Sequence, residues 1–161
     1  MANKTLYIMC GPAGSGKSTW IRCNAKAGTS AHISRDRIRF KMVAEDQNYF
    51  SREKEVYREF TRQISKALSC EWVDDVYADA THLSQKSRKK LLSEVLSIYP
   101  RCDVIPVVVK PSIEQCLTQN AQRSGREFVP ETVIKNMYKS FEDPCFDNFI
   151  KYKDIIYVEE E

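Results

Sequence analysis

Histidine is scarce in this 161-residue chain: His32 and His82 are the only two, and the six cysteines form no Cys-x-x-Cys pair. That leaves little from which to assemble a tetrahedral zinc site. The thiols read as reduced side chains of a reducing compartment. No apolar run approaches the roughly 20 residues that a membrane-spanning helix needs. Met1 to Thr5 lead directly into a short apolar stretch and a glycine loop, unlike a secretory signal. A cytoplasmic protein without a membrane partner is therefore expected. An excess of one charge is missing too. The 25 basic and 22 acidic residues leave a formal charge of +3, which tolerates an anionic partner without requiring one. Repeats, low-complexity segments and linkers are also lacking, so one domain over residues 1–161 is expected.

Strand-like and helix-like segments alternate. Leu6 to Cys10 is a compact apolar run closed by Gly11-Pro12, and reads as a buried strand. A helix over 17–26 and a short strand over 31–34 follow. Val56, Phe60, Ile64, Ala67 and Leu68 have helical spacing and predict an amphipathic helix over 51–70. Residues 73–79 hold a third strand. Leu91, Leu92, Val95, Leu96 and Tyr99 mark a helix that Pro100 stops. The β-branched run 103–109 is a fourth strand, with a bulge or an unpaired side expected at Pro106, which has no N–H for a ladder. Ser112 to Gln115 has the form of a capping box. Pro130 suits the first turn of a further helix. Residues 154–158 close the sheet, before a frayed Glu159 to Glu161 tail. Alternation of this kind predicts an α/β fold with a parallel sheet covered on both faces.

Gly11-Pro12-Ala13-Gly14-Ser15-Gly16-Lys17-Ser18 satisfies G-x-x-x-x-G-K-[ST] at every fixed position, between a strand and a helix. Glycines let the backbone curl so that its N–H groups converge on phosphate oxygens, and the following helix adds its positive end. Lys17 is expected at the β- and γ-phosphates of a nucleoside triphosphate, and Ser18 on Mg²⁺. Neither Asn-Lys-x-Asp nor Asp-x-x-Gly after a strand is present, which disfavours a GTPase.

Ser34-Arg35-Asp36-Arg37-Ile38-Arg39 follows the second strand, on the side of the sheet where ligands bind in doubly wound folds. Asp36 there can take the proton of an attacking hydroxyl, and the arginines can neutralise an anionic acceptor. An acid paired with its neighbouring arginines at a helix start is the structural alternative. Asp79 ends the third strand, where a carboxylate orients Mg²⁺ or fixes the acceptor, or else caps the next helix. Arg123-Ser124-Gly125-Arg126 can close as a lid over 123–130, or simply sit at a solvated helix end. Lys86, Arg88, Lys89 and Lys90 can follow a nucleic-acid backbone or form a solvated face. Tyr7, Tyr77, Trp20 and Trp72 can stack bases if exposed, with core packing as the default.

Four stretches together resemble the 5′-kinase domain of bacteriophage-type polynucleotide kinase, within the small P-loop kinases: Gly11 to Trp20, Ser34-Arg35-Asp36 with Arg39, Asp79-Ala80-Thr81, and Arg123 through Val129-Pro130-Glu131 into Asn136 to Ser140. The resemblance is weakest over 45–72. It implies a three-layer fold with a five-stranded sheet in the order 2-3-1-4-5. It implies ATP and Mg²⁺ as cofactors, with Gly11, Ala13, Gly14, Ser15, Gly16, Lys17, Ser18, Thr19, Arg123 and Arg126 on the ATP side. Ser34, Arg35, Asp36, Arg39, Asp79 and Thr81 would face the acceptor. Asp36 corresponds to the base for a 5′-hydroxyl, Arg39 to the arginine on a 3′-phosphate, and Arg123 to the lid arginine. Arg126 is the alternative for the lid, and Gln119 stands where the family has a second basic lid residue. The implied substrate is a DNA or RNA 5′-hydroxyl end, and a homo-oligomer is possible because the family assembles. Two further readings stay open: a kinase of a small-molecule, nucleoside or seryl-tRNA hydroxyl, and an ATP-binding switch without an acceptor.

Overall fold

The computed structural model describes residues 3–159, so Glu160 and Glu161 of the expected tail lie outside it. The elements run β1 (Lys4–Cys10), α1 (Lys17–Asn24), β2 (Ser30–Ser34), α2 (Arg35–Met42), α3 (Glu53–Ser69), β3 (Asp75–Asp79), α4 (Gln85–Ile98), β4 (Cys102–Val108), α5 (Ile113–Ala121), α6 (Glu131–Lys139) and β5 (Ile156–Tyr157). All strands pair in parallel in the order β2-β3-β1-β4-β5. This is the expected sheet order.

Period-two alternation distributes the strands' side chains over two layers. Leu6 and Ile8 of β1, Val76 and Ala78 of β3, and Val104 of β4 point to one face. There Val56, Phe60, Ile64 and Leu68 of α3, one turn apart, and Leu91 and Val95 of α4 cover them. Each of these side chains is fully or almost fully buried, and burial of one such group contributes about 1.5–3 kcal/mol. Met9, Tyr77 and Val107 point to the other face, against Ile21 of α1.

Pro106 causes no bulge. β4 pairs with β1 residue for residue from Lys4↔Cys102 to Cys10↔Val108. The carbonyls of Val104 and Val108 accept from Lys153 and Val158 on the β5 side. Pro106 shares their parity, so its missing N–H faces β5, a strand of only two residues. The unpaired side was the correct alternative.

The basic run on α4 divides. Lys86 and Lys89 are exposed, and Lys90 lies over the Tyr57 ring at 4.3 Å. Arg88 is fully buried and forks onto Asp147 (Nε–Oδ2 2.7 Å, Nη2–Oδ1 2.9 Å). The Tyr7 and Tyr77 rings stack on each other at 4.6 Å, and Trp20 meets Tyr77 edge-on; only Trp72 is widely exposed, at 77%. Ser84, not Asp79, caps α4 through the Ser87 N–H. Among the described residues no helix is long and apolar enough to cross a membrane.

Candidate active site

The loop 11–18 leaves β1 at the centre of the sheet. A Cβ at Gly11 would fall 2.1 Å from the Val109 carbonyl oxygen. Gly14 takes φ +79°, and a Cβ there would fall 2.6 Å from the Cys116 carbonyl oxygen. Only glycine fits either place. The Gly11 N–H donates to Thr81 O at 2.9 Å, tying the loop to the segment after β3. Helix α1 begins with no side-chain cap and no acidic residue in its first turn, so its free N–H groups and positive dipole end face the loop. The Ser15 hydroxyl is buried there without a partner. These features fit a phosphate-bearing ligand.

Lys17 Nζ folds back onto the carbonyls of Gly11 (3.0 Å) and Pro12 (2.9 Å). Burial lowers its pKa, with Arg123 adding to the fall and Asp79 and Asp36 opposing it. Its ammonium thus lies in the field of the three groups that sequence reasoning placed around a transferring phosphate. Ser18 Oγ donates to Asp79 Oδ2 at 2.6 Å, and His32 Nε2 is 2.8 Å from the same oxygen. Register explains the meeting: His32 pairs with Tyr77 and Ser34 with Asp79, so His32 and Asp79 share a face. Asp79 is 6% exposed. Burial raises its pKa, but the bonds from His32 and Ser18 and the nearby Lys17 outweigh this and hold it below the usual carboxylate value. Two hard oxygen donors side by side suit Mg²⁺, which takes one or two protein ligands and fills the rest with phosphate and water. No cluster of three or more His, Cys, Asp or Glu exists among the described residues to form an all-protein cage.

Beyond the carboxyl end of β2, Ser34 Oγ caps α2 by accepting from the Arg37 N–H at 3.2 Å. Asp36 lies in the first turn, where a carboxylate is favoured; its side chain is 66% exposed. Arg39 Nη1 donates to Asp36 Oδ1 at 2.6 Å. The same guanidinium forks onto Glu53 (Nε–Oε1 2.6 Å, Nη2–Oε2 2.9 Å), and Arg35 adds a 3.1 Å bond to Glu53 Oε2. Burial raises the Glu53 pKa, but Arg39 and Arg35 outweigh this and lower it. Tyr49 donates its hydroxyl to Asp36 Oδ1 at 3.2 Å.

The lid region begins where α5 ends. Asn120, 1% exposed, clamps the Val129 backbone from both sides, donating to its carbonyl (2.6 Å) and accepting its N–H (3.0 Å). The loop between is thereby closed at its base. The two lid arginines separate. Arg123 is exposed on the side of Lys17. Arg126 crosses to the end of α2, where Nη1 donates to Val43 O at 2.6 Å and the guanidinium lies over Phe40 at 4.9 Å. Those carbonyls are the negative end of α2. The Gln119 amide oxygen lies over Gly16.

Lys17 thus sits on the loop carbonyls near the Ser18–Asp79 pair, within the electrostatic reach of Arg123 and Asp36. Thr81 contributes its carbonyl to Gly11, and exposed Thr19 accepts from Arg22 at 3.2 Å. Four residues escaped sequence reasoning: His32, Tyr49, Glu53 and Asn120. Only the sheet register reveals His32, and Glu53 lies 14 residues from Arg39 with no local pattern joining them.

The AAA_33 family model, an AAA domain, matches residues 6–144. The L-seryl-tRNA(Sec) kinase of Methanococcus maripaludis is 28% identical over 144 residues, 86% of this chain and 53% of that protein. The chain thus spans about half the length of this curated relative. Among solved structures, a fungal RNA kinase superposes with TM-score 0.67 at 12% identity, over 99% of this chain and 39% of that one. The Pnkp1/Rnl/Hen1 RNA repair complex contains a chain matching with TM-score 0.65 at 18% identity, over 87% of this chain and 44% of that one. At these identities the structures share the fold. With its phosphate loop, its β2-β3-β1-β4-β5 sheet and the match over 6–144, the chain belongs to the AAA_33 family and has the P-loop kinase fold.

Proposed function

We propose that this domain transfers the γ-phosphate of ATP to the 5′-hydroxyl of a polynucleotide, with Asp36 as general base. The observation that carries the reading is the placement of Asp36. It is an exposed carboxylate held by Arg39 and Tyr49 in the first turn of α2, directly beyond the carboxyl end of β2.

In the transfer, Asp36 takes the proton of the 5′-hydroxyl. The hydroxyl oxygen bonds to the γ-phosphorus as the bond to the β-phosphate oxygen breaks, and ADP leaves. The N–H groups of the loop, Ser15 and Lys17 hold the β- and γ-phosphates. Ser18, with Asp79 bonded behind it, would hold Mg²⁺, which would supply positive charge beside those phosphates. Arg123 lays its guanidinium on the transferring group, and Arg126 fastens the lid to α2. Arg39, its side chain only 8% exposed, gives three N–H donors to Glu53 and Asp36 and so fixes the Asp36 carboxylate beside the place assigned to an acceptor's 3′-phosphate. Ser34 and Arg35 support this side by capping α2 and holding Glu53. The RNA kinase and RNA repair proteins that share the fold support a nucleic-acid acceptor.

The test is incubation with γ-labelled ATP, Mg²⁺ and a 5′-hydroxyl oligonucleotide, with its 5′-phosphorylated form as control. Label on the hydroxyl end alone is expected. Label on neither, with ATP bound, removes the polynucleotide reading. A second reading, transfer to the hydroxyl of seryl-tRNA, is favoured by the 28% identical relative. It is checked by adding seryl-tRNA to the same assay.

A further inference from the structure

Residues 45–52, inside the stretch 45–72 where the resemblance is weakest, carry two aromatic rings beside Asp36. Tyr49 and Phe50 meet edge-on at 5.0 Å. The Arg39 guanidinium lies over both, at 4.9 Å from the Tyr49 centroid and 5.1 Å from that of Phe50. Phe40 packs against Tyr49 at 5.5 Å, and Arg126 of the lid lies over Phe40 at 4.9 Å and Tyr49 at 5.8 Å. Guanidinium groups and rings thus alternate from the lid to Phe50. The turn bearing the rings is fixed by its own bonds. Phe50 N–H donates to Asn48 Oδ1 at 2.9 Å, and Arg52 Nη1 donates to Met42 O at 2.9 Å.

Phe50 is nevertheless 62% exposed. One large ring on a surface is ordinary. Here the ring is positioned from below by a buried arginine, and that arginine also holds Asp36. The Tyr49 hydroxyl bonds the same carboxylate oxygen. A hydroxyl bound at Asp36 therefore brings whatever group its sugar carries within one nucleotide of this platform. A flat ring with π-faces is what an exposed aromatic beside a cation holds best.

We infer that Phe50, set by Tyr49 and Arg39, is a stacking platform for the nucleobase of the nucleotide that offers the attacking hydroxyl. This rests on the proposed function and deepens it, making the acceptor a base-bearing one. The hydroxyl of a free sugar brings no aromatic base to place there.

Two readouts separate the platform from the reaction. The first is fluorescence anisotropy of a 3′-labelled oligonucleotide with a 5′-terminal base, against the same strand made abasic at that terminus. Wild type binds the base-bearing end roughly five- to hundredfold more tightly. Phe50→Ala weakens only that end, down to the affinity of the abasic strand, while Phe50→Trp keeps the preference. Equal binding of both ends by wild type, binding of neither, an unchanged preference in Phe50→Ala, or a parallel loss for both strands each overturns the platform. The second readout is label transfer to the base-bearing strand by wild type. A preserved preference without transfer keeps the platform and removes the kinase reading.

Discussion

Removing the carboxylate of Asp147 leaves a charge stranded in the core. Arg88 is 0% exposed and Asp147 has a side-chain exposure of 1%. The guanidinium makes two bonds to Asp147 and one each to His82 O and Glu142 O, both 2.8 Å. Tyr152 also donates to Asp147 Oδ2, at 2.6 Å. Asp147→Ala deletes the fork and one acceptor while the two carbonyls stay. Breaking such a pair from one side costs about 3–5 kcal/mol, because the surviving charge cannot be rehydrated. At about 2–4 °C per kcal/mol for a domain of this size, the midpoint falls by about 6–20 °C. The assay is urea and thermal unfolding of Asp147→Ala beside the double variant Arg88→Met/Asp147→Leu. The double variant is expected to recover most of the loss, because no unpaired charge remains. A loss under about 1 kcal/mol in Asp147→Ala refutes the reasoning. Equal losses in the two variants would assign the effect to packing.

Other outcomes are expected. His82 is buried, with its Nδ1 2.7 Å from Met9 O, and burial lowers its pKa to about 4. The unfolded chain then binds the extra proton between about pH 4 and pH 6.5, so stability rises with pH through that window. Urea unfolding at pH 5 should give about 2 kcal/mol less than at pH 7 from this group; a flat profile removes its burial as the cause. Asn120→Ala unties the base of the lid, costing about 1–3 kcal/mol for the two backbone groups left unpaired, and should raise KM for ATP; an unchanged KM separates Asn120 from the lid. Gly14→Ala meets the Cys116 carbonyl and should abolish ATP binding in isothermal titration; an unchanged affinity contradicts the loop geometry.

The parts legible in the sequence were those with short-range signatures. Gly11 to Ser18 is a contiguous motif, and the spacing of Val56, Phe60, Ile64 and Leu68 announces a buried helix face. The sheet order came through the resemblance and is what the structure has. Side-chain partnership across the sheet was hidden. Arg88 reads like Lys86, Lys89 and Lys90, and only its contact with Asp147, 59 residues away, makes it a core residue. His32 stood out only as one of two histidines too few to build a zinc site, and the parallel register with β3 makes it a neighbour of Asp79. Arg123 and Arg126 were interchangeable as letters. The structure separates them: Arg123 is exposed with its charge felt at Lys17, and Arg126 bonds the Val43 carbonyl at the end of α2. Segment 45–52 had no readable pattern, since its rings acquire meaning only from Arg39 and Asp36.

The most direct test of the account is Asp36→Asn, measured for label transfer and for equilibrium ATP binding on the same preparation. Asparagine keeps the shape and an acceptor for Arg39 but cannot take the proton. Loss of transfer by about 10²–10⁴-fold, with ATP affinity unchanged, is the predicted result. Transfer within about twofold of wild type would contradict the role of the general base, well short of the loss such a base carries.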